Sequence, residues 1–185
     1  MHLQSDRQRP LLYCKIQSKI KHIIPNAITS LRLVALPHLF YSFNYENTIA
    51  VYTLFLFSIG TDFVDGYAAR KLQSTSKLGA YFDVTVDFLF ISGMYLAFIN
   101  KGNYSPWILL IVVFVFSQFI LTNLYVKRTV YDPIGKYYGS LLFGGIGLTL
   151  LFPEPLVYSI VTIGIVVVSV GSFFSRLTYL LKASE

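Results

Sequence analysis

Four aspartates stand where a lipid-spanning chain should carry none. Asp62-Phe-Val-Asp65-Gly66-Tyr-Ala-Ala69-Arg70 is followed by Gly79-Ala-Tyr-Phe-Asp83-Val-Thr-Val-Asp87, with long apolar runs on both sides. Each ionised carboxylate at a helix centre costs about 2.5–3.5 kcal/mol, so four approach ~10 kcal/mol unless metal ions, basic groups or a water-filled cavity compensate. Asp62, Asp65, Gly66 and Ala69 follow i, i+3, i+4, i+7, and Gly79, Asp83 and Asp87 follow i, i+4, i+8. Each set is one stripe of a helix. Oxygen-only ligands with no histidine beside them favour the hard ions Mg²⁺ or Mn²⁺ over Zn²⁺. Two such ions about 3.5–4 Å apart, sharing carboxylates, would clamp a diphosphate and stabilise its leaving oxygen. Gly66 and Gly79 remove side-chain bulk where a ligand or backbone must come close. Arg70, two turns beyond Asp62, can offer a phosphate its planar fork.

The elements that position these groups follow from composition and punctuation. The chain has 185 residues, of which 55% are hydrophobic and 13% charged. Soluble domains carry about 25% charged residues, so an integral membrane protein is expected. Six runs can span a bilayer, at 26–44, 48–71, 77–99, 105–126, 134–152 and 156–180. The expected fold is all-α, a six-transmembrane-helix bundle forming a single domain over 1–185. Residues 10–23 alternate Leu11, Leu12, Ile16, Ile20 and Ile23 with Lys15, Lys19 and Lys21, the pattern of an amphipathic helix lying in the interface. Residues 1–25 thus form a cytoplasmic or interfacial N-terminal segment, with no signal peptide expected. Gln73 to Ser76 is a short polar break that joins the second and third spans as a hairpin. Counting from that turn at about 1.5 Å per residue puts both aspartate pairs at one depth.

Of the 15 basic residues, only Lys101 falls on the side that holds the loops near Asn44–Asn47, Lys101–Tyr104 and Pro153–Pro155. Basic loops stay inside, which places both termini and the acidic site at the cytoplasmic face of the cell membrane. The net charge of +6 suits anionic lipid and phosphate-bearing substrates; no module for nucleic acid is present. Cys14 is a lone cysteine and reads as an interfacial residue. Two function classes fit the spacing alone. One is a metal-dependent enzyme; the other is a non-enzymatic divalent-cation carrier using the buried acids. A carrier should show broken spans and repeated halves, and neither is visible. A membrane scaffold without activity is the third reading.

The residues of the acidic stretch resemble one family closely. Asp62-x-x-Asp65-Gly66-x-x-Ala69-Arg70-x8-Gly79-x-x-x-Asp83-x-x-x-Asp87 matches, position for position, the motif of the CDP-alcohol phosphatidyltransferases. The six-span layout, the interfacial segment and the run Pro25-Asn26-Ala-Ile-Thr29-Ser-Leu-Arg32 resemble that family too. The resemblance implies transfer of a phosphatidyl-type group from a CDP-lipid to an alcohol, with release of CMP. It implies that Asp62, Asp65 and Asp83 bind two metal ions, and that Asp87 helps hold one ion and acts as general base. Asp62, Asp65, Gly66, Ala69, Arg70 and Gly79 would surround the cytidine diphosphate, with Asn26 and Thr29 at the mouth. It also implies a homodimer.

The acceptor is expected to be a phosphorylated alcohol, inositol phosphate or glycerol phosphate, because Arg128, Lys136 and Arg176 lie near the cytoplasmic ends of later spans. Gly135-Lys136 resembles an element of glycerophosphate-using members. Those members often carry Lys directly after the last motif aspartate, where this chain has Phe88. His2, His22 and His38 are scattered and read as solvated or interfacial. Tyr137 and Tyr138 read as interfacial aromatics, and Gly139, Gly144, Gly145 and Gly147 as a close helix contact.

Overall fold

The computed structural model describes residues 27–71, 77–126 and 137–183. Those residues form six helices and no strand. α1 covers residues 27–44; then come α2 (Thr48–Lys71), α3 (Lys77–Asn100), α4 (Trp107–Val126), α5 (Tyr138–Leu151) and α6 (Pro155–Ala183). Among the described residues, three stretches are long and apolar enough to cross a membrane: Thr48–Tyr67, Gly79–Asn100 and Pro155–Thr178. Trp107–Thr122 and Tyr138–Leu151 are shorter apolar helices. The expected interfacial helix at 10–23, and with it the whole segment 1–25, lies outside the described residues.

Local chemistry sets the helix ends. Asn47 caps α2, its side-chain oxygen accepting from the Ala50 N–H at 3.2 Å. Before it, Glu46 turns the chain at φ 58°. α3 ends in a Schellman motif. Gly102 takes φ 79°, its N–H donates to Ile99 O at 2.9 Å, and Asn103 N–H donates to Phe98 O at 3.0 Å. Pro155 opens α6, a first-turn position where its missing N–H costs nothing.

The chain packs as two compact units, residues Met1–Asp87 and Phe88–Glu185. In the first, Ala35, Leu39, Val51, Phe55 and Val86 are buried. In the second, the later half of α3 buries Phe90, Met94, Tyr95 and Phe98, and α5 buries the stripe Tyr138, Leu142, Gly145, Thr149. Three polar pairs tie its elements together. Tyr104 Oη meets Thr149 Oγ1 at 2.6 Å, Tyr138 Oη meets Ser169 Oγ at 2.9 Å, and Asn103 donates to Tyr158 Oη at 3.1 Å. The outward faces are apolar: Ile49 is 81% exposed, Phe63 73% and Trp107 72%. Water would penalise such surfaces, and lipid would not.

Candidate metal and phosphate site

The inner faces of α1 and α2 change character along their length. α2 buries Val51 and Phe55, then Ser58, Thr61 and Asp65, at steps of three to four residues that keep one face inward. Ser58 and Thr61 donate their hydroxyls to Leu54 O and Ser58 O, both at 2.8 Å. Their polarity is therefore spent inside the helix. α1 runs the same way, burying Leu39 and Ala35 and then Arg32 and Thr29. The polar ends of these two faces meet the start of α3.

There the four aspartates converge. Asp62, Asp83 and Asp87 each offer one ligand oxygen, and these oxygens lie within 4.8 Å of one another. The side chain of Asp65 is buried, at 4% exposure, while those of Asp62 and Asp83 are open by 50% and 41%. Arg32 reaches all four from α1. Its Nη1 pairs with Asp62 at 2.9 Å and with Asp87. Its Nη2 pairs with Asp65 at 2.6 Å and Asp83 at 2.9 Å. Thr29 donates its hydroxyl to Asp65 Oδ2 at 2.8 Å and more distantly to Asp83 Oδ1 at 3.5 Å. Four carboxylates against one guanidinium leave three formal negative charges in the cluster. Oxygen donors carrying a surplus of negative charge fit hard divalent cations. The donor set thus suits a metal ion.

The remaining expected residues fall in several places. Gly66 and Gly79 are partly buried on α2 and α3. Ala69 and Arg70 belong to α2, but their side chains lie outside the described residues, as do Asn26, Arg128 and Lys136 altogether. Arg176 sits in the second unit, buried, with its guanidinium 4.8 Å from the centre of the Phe119 ring. Phe88 stacks on Phe116 with ring centres 3.8 Å apart, so its ring serves packing. His38 faces its own helix, Nδ1 lying 2.9 Å from Val34 O. A cavity of about 750 Å³ in the first unit is lined by Pro37, His38, Tyr41, Asn47 and Thr53. None of the aspartates borders it, and it carries no charged chemistry.

Arg32 stands in the run that resembles the family, but the sequence alone assigned it no role. The usable signal was there: an arginine within a span, three residues after Thr29, in a chain whose next two spans carry four acids. Ionisable groups in apolar spans pair with one another.

Comparison with known proteins adds to this geometry. The family model described as CDP-alcohol phosphatidyltransferase matches residues 22–178. The chain is 28% identical over 130 residues to the CDP-diacylglycerol–glycerol-3-phosphate 3-phosphatidyltransferase of Aquifex aeolicus, covering 69% of this chain and 73% of that protein. To proteins of the same name it is 36% identical over 75 residues in Pseudomonas fluorescens (37% of each chain) and 31% identical over 105 residues in Cereibacter sphaeroides (54% of this chain, 47% of the other). The last two alignments thus span less than half of those relatives.

Proposed function

This chain belongs to the CDP-alcohol phosphatidyltransferase family, and on that premise we propose that it transfers a phosphatidyl group from CDP-diacylglycerol to glycerol 3-phosphate. The acceptor is the one for which its relatives are named. The observation that carries the reading is the gathering of Asp62, Asp83 and Asp87 oxygens, from two helices, within 4.8 Å. Two Mg²⁺ or Mn²⁺ ions bound by Asp62, Asp65, Asp83 and Asp87 would supply charge neutralisation for the diphosphate.

The chain's own groups do the rest. The acceptor hydroxyl oxygen bonds to the lipid-linked phosphorus, the bond from that phosphorus to CMP breaks, and CMP leaves with the electron pair. Asp87 takes the hydroxyl proton. Asp62 and Asp83 are the open side chains of the cluster, so nucleotide and acceptor approach past them. Gly66 and Gly79 leave room for the cytidine diphosphate, with Ala69, Arg70 and Asn26 beside it. Arg176, Arg128 and Lys136 are the candidate partners of the acceptor phosphate, for which a guanidinium fork is well shaped. The six helices cross the membrane with the acidic site and both termini facing the cytoplasm, and two copies pair. Lipid tails then enter from the bilayer while polar substrates arrive from water.

The test is lipid-product analysis with purified chain, CDP-diacylglycerol, Mg²⁺ or Mn²⁺, and a panel of glycerol 3-phosphate, inositol phosphate, glycerol and serine. Metal-dependent CMP release with phosphatidylglycerophosphate as product is expected. Asp87→Asn should lower CMP release by about 10²–10⁴-fold while CDP-lipid binding persists. Metal flux across vesicles without CMP would overturn the enzyme reading in favour of a cation carrier.

A further inference from the structure

Arg32 is fully buried, yet its fork reaches both helices of the acidic motif. Nη1 ties Asp62 of α2 to Asp87 of α3. Nη2 ties Asp65 of α2 to Asp83 of α3, at 2.6 and 2.9 Å. A guanidinium carries two N–H groups on each terminal nitrogen; three are committed to Asp65, Asp83 and Asp87 as hydrogen bonds, and Asp62 is held as an ion pair. Three of those same residues, Asp62, Asp83 and Asp87, can present ligand oxygens within 4.8 Å of each other. A divalent ion seated among them would meet a like charge and draw on carboxylates already engaged. From this we propose that Arg32 is an exchangeable internal counter-ion, competing with divalent cations for the four aspartates and setting the concentration at which they load. The inference rests on the metal-site reading above and deepens it.

The alternative role for a buried arginine is purely structural, and the two make opposite forecasts. A structural Arg32 organises the ligands, so its loss weakens metal binding. A competing Arg32 withholds the ligands and repels the ion, so its loss tightens metal binding. The fork geometry favours competition, because its hydrogen bonds to Asp65, Asp83 and Asp87 and its ion pair with Asp62 all end on candidate ligands and none on a neutral scaffold group.

Mn²⁺ binding to the purified full chain in detergent, without CDP-lipid, decides between them. Titration calorimetry of wild type, Arg32→Gln, Arg32→Lys and Asp83→Asn would be paired with thermal unfolding in chelator and in Mn²⁺. Arg32→Gln is expected to bind Mn²⁺ about tenfold more tightly or better. Its unfolding temperature should drop in chelator and recover in Mn²⁺. Arg32→Lys keeps the charge but loses the fork, and should fall between the two. If Arg32→Gln cannot be purified, Arg32→Lys carries the test alone. Mn²⁺ affinity equal to or weaker than wild type in the folded Arg32 variants overturns the proposal. Asp83→Asn locates the failure. If it weakens Mn²⁺ binding while the Arg32 variants do not tighten it, only the counter-ion role falls. If it too leaves binding unchanged, the metal-site reading falls with it.

Discussion

Replacing Thr29 by valine removes one hydroxyl and preserves the shape of the side chain. That hydroxyl donates to Asp65 Oδ2 at 2.8 Å, and Asp65 is 4% exposed, so water cannot easily take its place. A hydrogen bond to a charged group contributes about 1.5–3 kcal/mol. At about 1.4 kcal/mol per factor of ten, the loss corresponds to roughly 10- to 100-fold in any equilibrium that needs Asp65 held in this orientation. Second-layer partners of metal ligands show changes of about that size in metal affinity. The assay is CMP release measured against Mn²⁺ concentration, with CDP-lipid saturating, for wild type, Thr29→Val and Thr29→Ser. Thr29→Val should need about 10- to 100-fold more Mn²⁺ for half-maximal rate, and Thr29→Ser, which keeps the donor, should restore wild-type behaviour. A Thr29→Val protein with an unchanged Mn²⁺ requirement and a raised KM for CDP-lipid would refute the reasoning. It would make Thr29 a nucleotide contact, the role implied by the family resemblance.

Two further perturbations test the packing that supports the site. At Gly145, an added Cβ would lie 2.7 Å from Tyr95 Oη and 2.9 Å from Val161 Cγ1, whereas at Gly144 it would meet nothing within 4 Å. Gly145→Ala should therefore lose about 1–3 kcal/mol to overpacking, offset by up to ~1 kcal/mol of helix propensity that Gly144→Ala gains freely. Thermal unfolding should rank Gly144→Ala above Gly145→Ala, and equal Tm values would contradict the contact. Gly102→Ala places a side chain at φ 79° and should cost about 1–2 kcal/mol. For a chain of this length that lowers Tm by about 2–4 °C per kcal/mol, and an unchanged Tm would remove the α3 cap from the account.

The helix layout was legible because its punctuation is local. Asn44 to Asn47 and Gln73 to Ser76 interrupt apolar runs, and the expected second span, 48–71, coincides with α2. The convergence of Asp62, Asp83 and Asp87 was legible too, since helical periodicity puts each set on one face and a short connection brings the faces together. Arg32 was not, because its role depends on which face of α1 meets the acids, and that is decided by tertiary packing. α5 shows the same limit at one-residue resolution. Tyr137 and Tyr138 both read as interfacial, but only Tyr137 is exposed, at 64%, while Tyr138 is buried against Ser169. The glycine run suggested a continuous close contact. Gly145 makes one, and an added Cβ at Gly139 or Gly144 would touch nothing. Composition reveals that small residues are present but not which way the helix is turned.

The four-way grip of Arg32 also bears on how the chain is made. Synthesis runs from the N-terminus, so the guanidinium on α1 is in place before any of the acids on α2 and α3 emerges from the ribosome. In the finished fold the carboxylates of both helices trade hydration for ion pairing with that one cation. Moving the arginine downstream of Asp87 would reverse that order, so that all four acids were made before their counter-ion.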